Sequence, residues 1–235
     1  MKKILFSLVA LVCSMSMNAQ QIRLMKGNTV VATYSAAQVD NVVFEEAAAL
    51  GKTGTAKRGN IDVNWVQLWE DGPRFAEYNV GAANNKAEDY GGYYCWGSSI
   101  NKDSNHAYKS GNAALTGTDD TATNLWGSNW RMPTQAELEA LIANCDAEWT
   151  TVNGVRGRKF TGKGAYASNS VFLPSAGECY GSDVFGSGNT GAGYYWSSTP
   201  SGNASAYYLY VNSGSQLVRE EDRVYGHSVR AVLAE

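Results

Sequence analysis

Charge is what this sequence has least of. Only 17% of its residues are charged, against about a quarter in an ordinary soluble domain. The formal net charge of -3 offers no basic footprint for a polyanion, which argues against nucleic acid as a partner. Histidine is reduced to His106 and His227, far apart in the chain, and no Cys-x-x-Cys occurs, so no zinc site is expected. No Asp-x-Asp-x-Asp-Gly loop gathers oxygens for calcium. No Gly-x-Ser-x-Gly elbow presents a nucleophile, and neither histidine sits in a triad-like context. Metal, cofactor and catalytic residues are therefore not expected. Nor does any apolar run approach the roughly 20 residues that span a bilayer.

What the chain has instead is glycine and aromatic side chains. There are 25 glycines, 14 tyrosines and 7 tryptophans, and 44% of the residues are apolar. That is too apolar for a disordered chain, and turn and strand formers dominate over helix formers. The first residues have a separate purpose. Lys2 and Lys3 precede an apolar run from Ile4 to Val12, then small and polar residues to Met17-Asn18-Ala19. A charged start, a short apolar centre and a small residue at the cut describe a secretory signal peptide, assigned to residues 1–19. Val12 stands before Cys13 where a lipobox wants a small residue, which argues against lipidation. Beyond the leader remain Cys95, Cys145 and Cys179, an odd number with no framework spacing. Whether Cys95 and Cys179 are bonded is left open at this point.

Local patterns divide the rest. Residues 20–45 form a short β-rich segment, with runs Ile22 to Met25 and Thr29 to Tyr34 around Lys26-Gly27-Asn28, and a third apolar piece at Val42 to Phe44. Residues 46–60 read as a linker, and the main domain is placed at 61–235. Thr134-Gln135-Ala136-Glu137 is a capping box. Leu138, Leu141, Ile142 and Cys145 then follow on one helical stripe, which makes Cys145 a core residue. Asn153-Gly154 between Trp149 to Val152 and Val155 to Phe160 signals a hairpin. Further strands are expected at 170–173, 194–198, 206–211, 216–218 and 228–233, with Gly177 to Gly193 as a loop. Short strands, one well-capped helix and long glycine loops make an α+β domain.

Two patterns are set aside. Gly186-Ser187-Gly188-Asn189-Thr190-Gly191 imitates a dinucleotide loop, but the strand-like Gly193-Tyr194-Tyr195-Trp196 follows it where a helix is required. Asp119-Asp120 and Glu220-Glu221-Asp222 read as solvated turns. The C-terminal third stands apart, with seven tyrosines from Tyr180 to Tyr225 among Ser, Asn and Gly, the composition of a recognition surface. Strand alternation places Tyr207, Leu209 and Val211 toward the core and Tyr208 and Tyr210 together on the opposite face.

Several blocks carry a family resemblance. Asn79-Val80-Gly81-Ala82 and Tyr90-Gly91-Gly92-Tyr93-Tyr94-Cys95-Trp96-Gly97 come first. Trp126-Gly127-Ser128-Asn129-Trp130-Arg131-Met132-Pro133-Thr134 and Phe172-Leu173-Pro174-Ser175-Ala176-Gly177 follow. Gly193-Tyr194-Tyr195-Trp196-Ser197-Ser198 and Gly226-His227-Ser228-Val229-Arg230-Ala231-Val232 close the series. In this order, over roughly 61–233, they resemble the Fibrobacter succinogenes major paralogous domain family. The resemblance implies a C-type-lectin-like fold without a calcium motif, in an exported protein of a Gram-negative bacterium, periplasmic, secreted or on the outer surface. It also implies, as for some members, fimbrial tips or C-terminal regions varied by a retroelement. On that pattern the ligand contacts are Tyr208, Tyr210, Ser215, Gln216, Glu221, Asp222, Tyr225 and His227. The fold is shared with formylglycine-generating enzymes, but none of the cysteines here lies in a matching motif, so that activity is not carried over. The expectation is a non-enzymatic binding or adhesion protein with a protein or glycan ligand. Its alternative is a subunit of a surface fibre or envelope assembly.

Overall fold

Both β-rich runs near the N-terminus form strands. In the computed structural model, which describes residues 21–26, 29–35, 53–188 and 191–234, β1 (Gln21–Lys26) and β2 (Thr29–Ser35) pair antiparallel. They belong to a unit, Met1–Leu50, separate from a second unit, Gly51–Glu235. Residues 1–19, read as a signal peptide, the apolar piece Val42 to Phe44 and residues 46–52, read as linker, lie outside the described residues.

The second unit begins earlier than the sequence pattern indicates. β3 (Thr53–Arg58) pairs with β4 (Ile61–Gln67) around Gly59-Asn60. This corrects the reading of 46–60 as linker, since Gly-Asn between two runs is a hairpin signal that scattered Lys and Thr obscured. After β5 (Arg74–Ala76) comes an unexpected short helix, α1 (Thr121–Trp126). Asp120 caps it, accepting from the Thr123 amide at 3.0 Å and from the Met132 amide at 2.8 Å. Asp120 is 1% exposed, which corrects its assignment to a solvated turn. Burial raises its carboxyl and those amides oppose the shift.

β6 (Trp130–Arg131) leads to α2 (Gln135–Asn144), whose capping box is formed as expected. The Thr134 hydroxyl accepts from the Glu137 amide, and Glu137 accepts from the Thr134 amide at 2.8 Å. The Arg131 guanidinium meets both Glu137 oxygens, at 2.7 and 2.6 Å. Burial alone would raise Glu137, but Arg131 and Thr134 outweigh it and hold the carboxyl below its usual value. Leu138 and Leu141 are buried, and Cys145 beyond them is buried too.

β7 (Asp146–Val152), β8 (Val155–Thr161) and β9 (Ser170–Pro174) form an antiparallel sheet. Asn153 and Gly154 turn the first hairpin at φ 48° and 85°, backbone that follows the twist of the flanking strands. A second hairpin, β10 (Glu178–Tyr180) and β11 (Asp183–Phe185), occupies a stretch read as loop. Then β12 (Gly193–Ser201), β13 (Ser205–Val211) and β14 (Gln216–Asp222) make a meander. β15 is only Val232–Leu233, shorter than expected. The carbonyls of Val229 and Ala231 accept instead from the amides of Val80 and Ala76. In the largest sheet, of order β3-β4-β5-β15-β6, the closing strand lies beside β5. The whole is a mixed α+β domain, 41% strand and 12% helix.

Apolar residues collect into two cores on either side of the meander. Trp96, Trp126, Trp130, Met132 and Val229 form one, joined by Trp196 and Tyr208. Leu138, Leu141, Phe160 and Leu173 form the other, joined by Tyr195 and Leu209. Alternate residues of β12 and β13 therefore serve opposite cores, and neither face of β13 is free.

Arg230 locks this arrangement. It is 2% exposed, and it faces neutral oxygens. Its Nε donates to Asn79 Oδ1 at 2.8 Å, one Nη to the Glu77 carbonyl at 3.0 Å and the other to the Phe172 carbonyl at 2.9 Å. Burial lowers its pKa to about 10, with Tyr195 and Glu77 acting against the shift. Two distant segments, at 76–79 and at 172, are thus tied to one fork. Replacing it by Lys keeps the charge but leaves most of these acceptors unmatched, at an expected cost of about 2–4 kcal/mol. Urea unfolding of Arg230→Lys should show a lower midpoint at unchanged slope; an unmoved midpoint would refute the role.

Candidate functional site

The meander and the β10–β11 hairpin bring together a set of aromatic rings that only partly matches the expected one. Gly181-Ser182 makes the hairpin turn, with Gly181 at φ 60°. Because strand residues alternate and opposed residues share a face, Glu178, Tyr180, Asp183 and Phe185 lie on one side. Cys179 and Val184 lie on the other, packed toward Tyr93 and Tyr90. Tyr180 is 49% exposed and Phe185 42%. The Tyr180 ring lies 4.1 Å from the His106 ring and 5.4 Å from the Tyr225 ring, so three rings adjoin.

Beneath this surface sits His227. It is fully buried, stacked on Trp196 at 4.0 Å, and 4.8 Å from the Tyr208 ring and 5.3 Å from that of Tyr194. Its Nε2 lies 3.2 Å from Glu178 Oε2. A carboxylate only accepts, so Nε2 carries the proton. Nδ1 is buried without a hydrogen-bond partner. Burial lowers the His227 pKa, while the hydrogen bond that Nε2 donates to Glu178 and the charges of Glu178 and Glu221 work against it. Tyr208 is 4% exposed, and its hydroxyl is pushed up to about 12 by burial and the Glu221 carboxylate. Tyr208 and His227, expected as contact residues, are thus both buried in the core rather than displayed. The meander has a core on each side, which defeats the rule that every second residue of a strand faces water. Tyr207, assigned to the core, is only half-buried.

The other expected contacts fall at opposite ends of the meander. Tyr210 is half-buried, its ring edge-on to Tyr194 at 5.3 Å and covered by the Arg219 guanidinium at 4.8 Å. Its hydroxyl accepts from Asn212 at 2.9 Å. Ser215 and Gln216 lie at the β13–β14 turn, where the Asn212 side chain bonds the Ser215 amide at 2.8 Å. Glu221 and Asp222 are at the far end of the seven-residue β14, roughly 20 Å away at strand rise. There Tyr225 adjoins them through its amide bond to the Asp222 carbonyl. The ring cluster takes in Tyr225 and Glu221 and leaves Ser215 and Gln216 outside. It also contains Glu178, Tyr180, Tyr194 and His106, which the sequence reading missed. The Gly-Ser pair between 178–180 and 183–185 was the available signal.

Other features do not compete with this face. The three described cysteines are free and buried. The Cys95 thiol bonds the Val224 carbonyl at 3.1 Å and is pushed up to about 11, first by burial. Among the described residues no cluster of His, Cys, Asp or Glu is set to hold a metal ion, and no helix is long and apolar enough to cross a membrane. A cleft of about 630 Å³ lies elsewhere, lined by Thr55, Asn64, Trp65, Glu77, Lys159 and Phe172 among others. Its indole is already covered, by the backbone of Gly54 and by the Arg74 guanidinium at 5.1 Å.

The neutral state of His227 has a measurable consequence. Its folded pKa lies below the unfolded value, so stability is full above about pH 6.5 and is lost as pH falls through the folded pKa. His227→Gln should flatten the dependence of melting temperature on pH between about 7.5 and 5. A variant as acid-sensitive as the parent would contradict this.

The motif blocks now have structural roles. Asn79 holds Arg230, Trp196 Nε1 donates to the Tyr94 carbonyl at 2.8 Å, and Trp96 Nε1 to the Ser197 carbonyl at 2.8 Å. No curated protein and no solved structure matches the chain. One family model does match, that of the Lcl C-terminal domain, over residues 68–233, and this is the family of the Fibrobacter paralogous domains. That span contains every block from Asn79 to Val232, and the chain belongs to the Lcl C-terminal domain family.

Proposed function

We propose that this chain is a non-enzymatic, exported binding or adhesion protein that presents the face around Tyr180, Tyr225, Tyr194 and Tyr210 to a protein or glycan. The observation that carries the reading is the gathering of partly exposed tyrosine rings, with two carboxylates, over a buried support of His227, Trp196 and Tyr208. Tyrosine gives large contact area for little lost rotamer freedom, and fixing the rings from below reduces that loss further. A C-type-lectin-like fold fits the pairing of β5 with β15, which joins the two ends of the domain in one sheet, and the packing of α2 into the second core. The leader at 1–19 directs the chain to the periplasm or beyond.

A second reading rests on β1 and β2. Among the described residues they pair only with each other, and a lone two-stranded hairpin is marginal in water. A fibre or envelope assembly would supply the missing partner by strand addition. Deleting residues 20–50 separates the readings: a fibre subunit loses assembly, whereas a binding module keeps its ligand.

Tyr180→Ala and Tyr225→Ala test the primary reading. Both side chains are outside the two cores, so melting temperatures should move little. Affinity for a partner recovered by a surface screen should fall about tenfold or more in each. Unchanged affinity in both variants would sink the reading.

A further inference from the structure

The chemistry of the proposed face narrows its partner. Glu178 and Asp183 stand on the same side of the hairpin as Tyr180 and Phe185. Glu221 and Asp222 close β14 beside Tyr225. Among the described residues none of these four carboxylates is ion-paired with a lysine or arginine. The one basic group against Glu178 is His227, which burial keeps neutral. Asp222 accepts from the Ser205 hydroxyl and Glu221 from the Asp222 amide, bonds that leave both charges intact. The Arg219 guanidinium covers the Tyr210 ring at 4.8 Å. The result is a surface of inclined tyrosine rings set among carboxylates that, among the described residues, form no ion pair with a lysine or arginine.

Such a surface suits a cation. The face of a tyrosine ring attracts an ammonium or guanidinium group, most strongly when the group is partly desolvated, and a neighbouring carboxylate adds a charge-assisted hydrogen bond. The long aliphatic stem of Lys or Arg would cover Phe185, whose ring is 42% exposed. A sulfated or phosphorylated ligand would meet the like charges of Glu178, Asp183 and Glu221. Resting on the proposed binding role of this face, we infer that its partner is a basic polypeptide segment whose lysine or arginine side chains insert among Tyr180, Tyr225, Glu178 and Glu221.

The test uses the full chain and three labelled probes, a decalysine peptide, a decaglutamate peptide and a neutral oligosaccharide, titrated by fluorescence anisotropy at low and moderate salt. Decalysine should bind, weaken with salt, and lose about tenfold or more in affinity in both Tyr180→Ala and the double variant Glu221→Gln/Asp222→Asn. A control of equal charge change, Glu139→Gln/Glu148→Gln on the exposed surface elsewhere, should bind as the parent does. Circular dichroism confirms that each variant is folded. If decalysine does not bind, or the control loses as much as the site variant, the inference is overturned. If the oligosaccharide or decaglutamate binds instead and Tyr180→Ala abolishes it, the cationic partner is refuted while the binding role of the face stands. Loss of neither probe on Tyr180→Ala overturns both.

Discussion

A guanidinium carried into a protein interior must be surrounded by oxygens, because its charge cannot be shed and its five donors cannot be left bare. Three buried guanidinium groups here face backbone and amide oxygens and no carboxylate: Arg158, whose Nε has no partner, and two that are more fully bonded. Arg230 draws on Asn79 and the carbonyls of Ala76, Glu77 and Phe172. Arg223, fully buried and lying over the Trp96 ring at 4.0 Å, draws on the carbonyls of Lys109, Gly111, Gly202 and Ser205. Every one of those carbonyls belongs to a segment distant in sequence. The fork geometry fixes where each segment lies, so two side chains near the C-terminus position loops, a strand end and a sheet edge at once.

The consequence reaches the surface. Residues 224–229 run between the two arginine nodes, and within them Gly226, His227 and Ser228 pair with Cys179, Tyr94 and Tyr195 through isolated bridges. His227 is set in the middle of that run, against Trp196. The tyrosines above it rest on a floor that the buried network defines. Scaffold and display are therefore made from alternating residues of the same strands: Tyr195 and Leu209 fill one core, Trp196 and Tyr208 the other, and Tyr194 and Tyr210 reach the outer rim. Three of the described arginines, Arg158, Arg223 and Arg230, are interior, and the carboxylates near the tyrosines have no lysine or arginine ion pair among the described residues.

How much of this was legible depended on whether the signal was local. The capping box at Thr134 and Glu137 and the Asn153-Gly154 hairpin are decided by neighbouring backbone, and both formed as the residues dictate. The meander strands at 194–198, 206–211 and 216–218 were visible as period-two runs. What failed was inference about sides. Alternation distinguishes two faces but does not say that both are covered, and the core that holds Tyr208 is assembled from segments more than a hundred residues apart. Asp120 was misread for the same reason: its partner, the Met132 amide, is brought to it only by the fold. The β10–β11 hairpin was hidden among glycines, although Gly181-Ser182 has the residues a two-residue turn requires. Of the expected contacts, the structure keeps Tyr225 and Glu221 together and separates them from Ser215 and Gln216.

The central claim is that the closing segment is the structural keystone and the tyrosine face a layer upon it. Native-state hydrogen exchange tests this directly, through the amides of Val80, Tyr94 and Trp196, which donate to the carbonyls of Val229, His227 and Ser228. These three should exchange only through global unfolding, at the full stability of the domain, while the amides of β11 exchange by local opening. Exchange of Val80, Tyr94 and Trp196 well below the global limit, at the rate of the β11 amides, would show that the segment is not what holds the domain together.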